Sequence, residues 1–165
     1  MTGREEGEPI AGTAVRCVIG SDQTDGRFTV LTGEVGPRSL IVPHTHARED
    51  ELSFVQQGRI GARVGDRDAV VEAGEFLFRP RGVLHALWNP MDEPAVTVEF
   101  ISPGGIERFF EELGQLRLSG PLSQADLIEL SDRYDSRFHP ELIPELVNTY
   151  GVHPLPPWTV GDSAL

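Results

Sequence analysis

Two short segments constrain this chain more than anything else in it: His44-Thr45-His46 with Glu51 and Gly58, and Gly74-x5-Pro80-x-Gly82-x2-His85-x3-Asn89. Together they supply three imidazoles and a carboxylate, a donor set suited to one divalent transition metal. His44 and His46 stand two residues apart, so on a β-strand both side chains leave the same face and can reach one ion. A helical site would space its histidines three or four apart, and no such pair occurs in the sequence.

The text around these segments is strand language. Runs rich in Val, Ile, Phe and Thr at 15–19, 28–35, 52–56, 60–64, 69–72, 76–79, 84–88 and 95–101 are separated by turn residues. Asp25-Gly26, Gly65-Asp66, Ala73-Gly74 and Asn89-Pro90 tolerate positive φ or preset a bend. Such spacing predicts an all-β barrel or sandwich over residues 14–102. Residues 1–13 lack periodicity and read as a flexible leader.

After Ser102-Pro103-Gly104-Gly105 the period becomes helical, and residues 103–150 read as a C-terminal helical extension packing on the barrel. Ile106, Phe109, Phe110 and Leu113 fall on one helix face. A second helix opens at Ser123, with Asp126 three residues on in the manner of a capping box, and continues through Leu127, Leu130 and Tyr134. A third spans about residues 141–150 and stops at Gly151. Residues 151–165, with prolines at 154, 156 and 157, read as an extended arm on the surface or on a neighbour.

Charge and composition narrow the partners. Against 14 Lys and Arg stand 26 Asp and Glu, a net charge of -12, and no basic run is interleaved with aromatics, so nucleic acid and anionic membrane are excluded as expected partners. Cys17 is the single cysteine, which rules out an intramolecular disulfide and fits a reducing compartment. No apolar run approaches the roughly 20 residues needed to span a bilayer. The expected location is the cytoplasm.

The two segments resemble the paired signature motifs of the cupin superfamily. The second matches at Gly74, Pro80, Gly82, His85 and Asn89, and the first at His44, His46, Glu51 and Gly58, with 15 residues between Gly58 and Gly74. The match departs at the front, where Gly36 stands eight residues before His44 rather than the family's usual six. The resemblance implies a jelly-roll barrel, the double-stranded β-helix, with a metal bound inside one mouth by His44, His46, Glu51 and His85. Glu49 and Asp50 are rival carboxylates, but neither keeps the seven-residue step to Gly58, and both are assigned to the loop.

Alternation outward from these ligands draws an apolar cavity. Inward histidines on the first strand bring Leu40 and Val42 with them, Glu51 brings Ser53 and Val55, His85 brings Val83 and Leu87, and Phe76 and Phe78 fall on the far wall. Arg79 and Arg81 read as solvated loop arginines. Such a pocket favours an aromatic or polyketide-like enol.

The barrel followed by amphipathic helices resembles small bacterial single-domain cupins of the quercetinase-like (quercetin 2,3-dioxygenase-type) group. That resemblance implies a metal-dependent dioxygenase acting on a flavonol-like substrate with O2, using Fe, Ni, Co or Mn, with Glu51 serving as both ligand and base. Two other readings stay open: a non-oxidative polyketide cyclase or isomerase, which Zn would serve, and a non-catalytic ligand-binding protein. Cupins commonly dimerise, so a homodimer is expected, with Trp158 of the arm packing across the interface.

Overall fold

The computed structural model describes residues 7–159; the first six residues of the leader and the last six of the arm lie outside them. The described residues form twelve strands: β1 Glu8–Pro9, β2 Val15–Ile19, β3 Thr29–Val35, β4 Ser39–His46, β5 Asp50–Gln57, β6 Arg59–Val64, β7 Arg67–Glu72, β8 Phe76–Arg79, β9 His85–Trp88, β10 Ala95–Ser102, β11 Ser136–Phe138 and β12 His153–Pro154. Three α-helices, α1 Glu107–Ser119, α2 Gln124–Arg133 and α3 Ile143–Tyr150, follow the tenth strand.

One sheet runs β1-β2-β3-β10-β5-β8 and the other β11-β4-β9-β6-β7, with β12 also paired to β4. The two sheets make a jelly-roll barrel, the all-β barrel that the strand spacing predicts and the topology that the resemblance implies. Val35, Val55, Ile60, Ala62, Val71, Leu87 and Ala95 fill the space between them.

A second core lies outside the barrel. Leu40, Val42, Ala86 and Trp88 of β4 and β9 pack against Leu113, Leu127, Leu130, Ile143, Leu146, Val152 and Trp158. Leu130, Ile143 and Leu146 are fully buried there, each contributing about 1.5–3 kcal/mol of hydrophobic stabilisation. The helical extension is thus docked on the barrel by its apolar faces.

The helix boundaries follow local chemistry. Ser123 Oγ accepts from the Asp126 N–H at 3.1 Å while Asp126 Oδ2 accepts from the Ser123 N–H at 2.9 Å, the reciprocal capping box expected at α2. Gly151 closes α3 at φ 63°, its N–H bonded to Val147 O at 2.9 Å.

Four sequence expectations are corrected. The leader is tied down in part: Glu8 and Pro9 pair with Cys17 and Arg16, and Ile10 is buried. Within the arm, Val152 and Trp158 are buried on their own chain, the indole 5.5 Å from the Phe138 ring, so Trp158 is not available to a neighbouring copy.

The third correction concerns β4. Its pairing with β9 shifts between Ile41 and His44, a bulge that reverses side-chain parity along the strand. Ile41 therefore joins the barrel interior and Leu40 the helix-facing core, although both histidines point inward.

The fourth concerns β8, whose register sets Arg79 opposite Glu51 and Leu77 opposite Ser53. These face in, so Phe76 and Phe78 face out, 61% and 57% exposed, and do not line the cavity. Arg79, expected in solvent, is 4% exposed.

Candidate metal centre

His44 and His46 come from the end of β4, Glu51 from the start of β5 and His85 from the start of β9. The antiparallel β4–β9 pairing puts His44 directly opposite His85, and the strand entering β5 returns the carboxylate to the same mouth. One donor atom from each of the four residues lies within 4.8 Å of the others. His46, Glu51 and His85 are buried, and His44 partly so.

Each imidazole is oriented by a bond on its far nitrogen. His44 Nδ1 lies 2.7 Å from Val42 O and His85 Nδ1 lies 3.0 Å from Val83 O. Carbonyl oxygens only accept, so both Nδ1 atoms carry a proton, which turns each Nε2 inward as the ligand atom. These two Nε2 atoms stand 3.1 Å apart. His46 Nδ1 meets Ser136 Oγ at 2.7 Å, and its Nε2 is turned toward Glu51 Oε1 at 3.6 Å. Burial, reinforced by His85 and then His46, holds His44 well below its usual pKa, and burial lowers His46 as well.

Three imidazole nitrogens and one carboxylate converging in a buried space, each imidazole aimed by a partner outside the cluster, are a donor set that fits a divalent ion. Glu51 Oε2 is buried and makes no well-aligned hydrogen bond, its neighbours being His85 Nε2 at 3.1 Å and Arg79 Nη1 at 2.8 Å. Glu49 is buried too, but its Oε2 points to the Nδ1 side of His46 at 3.8 Å, away from the converging nitrogens. Asp50 pairs with Arg81 at 2.6 Å on the outside.

Residues 26–101 match the family model described as Cupin domain. This barrel is a cupin domain. Quercetin 2,3-dioxygenase of Bacillus subtilis is 27% identical over 99 residues, covering 60% of this chain and 29% of that enzyme. The chain thus spans less than a third of that relative's length.

Solved structures are similar to this chain as well. A double-stranded β-helix protein from Klebsiella pneumoniae aligns at TM-score 0.51 and 21% identity, over 61% of this chain and 86% of its own. KdgF from Halomonas sp. aligns at TM-score 0.54 and 14% identity, over 66% of this chain and 94% of its own. At these identities the likeness is one of fold.

Sequence reasoning missed three features of the cupin centre. Arg79 spans two carboxylates, Glu51 at 2.8 Å and Glu99 at 2.5 Å, and also donates to Ser53 Oγ at 2.9 Å. Ser53 therefore links this network rather than lining the cavity, while Val55 belongs to the barrel core. Ser136 on β11 orients His46 from 90 residues away.

The third is the roof. A cavity of about 260 Å³ runs from His44, His46 and Glu51 past Val42 and Leu87 to Phe109, Phe110, Leu113, Phe138 and Trp158. The extension closes over the centre, and its walls are overwhelmingly apolar. Among the described residues no helix is long and apolar enough to cross a membrane.

Proposed function

We propose that His44, His46, Glu51 and His85 hold one divalent transition ion and that the chain is a dioxygenase acting on a small enolisable aromatic compound. The observation that carries the metal half is the pair of inward-turned Nε2 atoms 3.1 Å apart, beside His46 and Glu51. The apolar cavity opening onto them and the partial likeness to quercetin 2,3-dioxygenase support the reaction class.

Bound there, an Fe, Ni, Co or Mn ion would supply Lewis-acid polarisation of a substrate oxygen and a place to bring substrate and O2 together. The residues of the chain have separate tasks. Val42 O, Val83 O and Ser136 keep the three imidazoles turned inward. Phe109, Phe110, Phe138 and Trp158 exclude water and offer aromatic faces to a planar ring.

Glu51 is assigned as a ligand. Burial is the largest single influence and pushes its carboxyl up, but the Arg79 guanidinium together with His85 and His46 holds it well below the usual carboxylate range. The additional role of base, implied by resemblance, requires that contact to open.

The test joins metal analysis of protein purified without added ions to an O2-uptake screen across flavonols and related enols. A transition ion near one per chain with substrate-dependent O2 uptake is expected. Product formed equally fast without O2 removes the dioxygenase reading and leaves carbonyl polarisation by Zn, as in a cyclase or isomerase. We place the protein in the cytoplasm as a homodimer, and light scattering showing a monomer at micromolar concentration would contradict the latter.

A further inference from the structure

Five carboxylate or guanidinium residues touch the cavity: Glu34, Glu51, Arg79, Glu99 and Arg117. Arg79 is taken up by Glu51 and Glu99. Glu34 is exposed, between inward-facing Gly33 and Val35 on β3, and its side chain belongs to the outer face. Arg117 differs from all of these. It stands in the last turn of α1, on the stripe Ile106, Phe110, Leu113, Arg117 whose earlier members line the same cavity.

Arg117 is an exposed residue of the lining, which places it at the rim. Among the described residues its side chain has no ion pair and no hydrogen bond, unlike those of Arg38, Arg48, Arg59, Arg63, Arg81 and Arg133, which each hold a carboxylate; Arg67, Arg108 and Arg137 are also without such a partner, but none of these lines the cavity. Packing against the wall lowers its pKa, with no neighbouring carboxylate to offset the effect. In a chain of 26 acidic and 14 basic residues, a guanidinium left unpaired at the mouth of an apolar cavity is a ready receptor for an anion.

We infer that Arg117 binds a carboxylate of the substrate at the rim, so that the ligand is an aromatic acid whose ring fills the apolar throat and whose far end faces the imidazole cluster. This rests on the reading that the cavity receives the substrate. At about 260 Å³ the space lies just below the usual range of ligand pockets, roughly 300–1,000 Å³. It therefore favours one or two rings over a larger skeleton. The acid is held by a charge-assisted bond at one end and by apolar contact along its length.

The test compares 4-phenylbutyrate with 4-phenylbutanol, which share a skeleton and differ in charge, by calorimetric titration of the metal-loaded protein and of protein stripped with a chelator. The acid should bind at least about tenfold more tightly. That preference should vanish in Arg117→Gln and persist after metal removal. A preference that survives Arg117→Gln overturns the inference, as does one that disappears on chelation, since the carboxylate then sits at the imidazole cluster. Equal binding of acid and alcohol by the unsubstituted protein overturns it too, and leaves Arg117 as a cation at a helix C-terminus. Failure of the O2-uptake test removes the dioxygenase reading without touching any of these outcomes.

Discussion

His44 Nε2 and His85 Nε2 stand 3.1 Å apart while each ring turns its Nδ1 to a backbone carbonyl on the other side. Both inward nitrogens are placed to bond to one cation. Added transition metal should therefore stabilise the fold, by about 2.7 kcal/mol at a hundredfold excess over Kd. His85→Ala should fail to retain metal through gel filtration. A melting temperature indifferent to both chelator and metal would contradict the assignment.

Arg79 is buried between two carboxylates, so its removal leaves charge without compensation. Arg79→Met should destabilise the protein by about 3–5 kcal/mol and weaken metal retention, because Glu51 loses the contact at 2.8 Å that fixes its carboxylate. Thermal melts and metal titration read the two effects separately. Full metal affinity in a folded Arg79→Met protein would assign Arg79 to barrel stability alone.

Ser136 reaches His46 from the extension. Ser136→Ala removes the acceptor of the Nδ1 proton and lets the ring turn, so metal affinity should fall about 10- to 100-fold while the circular dichroism spectrum stays unchanged. Competition titration against a chromophoric chelator checks it, and an unchanged Kd would separate β11 from the metal centre.

The candidate metal centre is legible because it is written as side-chain chemistry at strand spacing: two histidines two apart, and a glutamate and a third histidine at set distances from turn glycines. The parity of β4 was not legible, because the bulge between Ile41 and His44 leaves no mark stronger than Pro43. On β8 the apolar Phe76 and Phe78 are stronger interior signals in sequence than Arg79, whose burial follows from its pairing with Glu51 across the sheet. Ser136 and the roof depend on contacts across about half the chain, which no local pattern encodes.

Acid should destabilise the metal-free protein in two stages. In the unfolded chain a histidine takes its proton near pH 6.5, whereas His44 and His46 are held lower in the fold by burial. Between those values the unfolded state binds more protons, so stability falls as pH drops below about 6.5. Glu51 is depressed from its ordinary 4.5, which adds a further loss as pH falls below about that value. Melting temperatures in chelator from pH 8 to 4 test this, and a flat profile between pH 7.5 and 5.5 would refute the histidine contribution.

Gly61 couples the barrel to its roof. It pairs with Trp88 on the strand that begins with His85, and a Cβ at position 61 would stand 2.0 Å from the indole Nε1 and 2.2 Å from Cε2. The indole cannot retreat freely, because it is 2% exposed and stacks on Tyr150 of α3 with ring centroids 4.2 Å apart. Gly61→Ala must therefore displace Trp88, at a cost of at least about 1–3 kcal/mol. The displacement is passed to α3, and with it to the extension that closes the cavity. Melting should shift down and proteolysis should nick residues 103–158 before the barrel. A variant as stable and as protease-resistant as the parent would show that Trp88 has room the packing denies it.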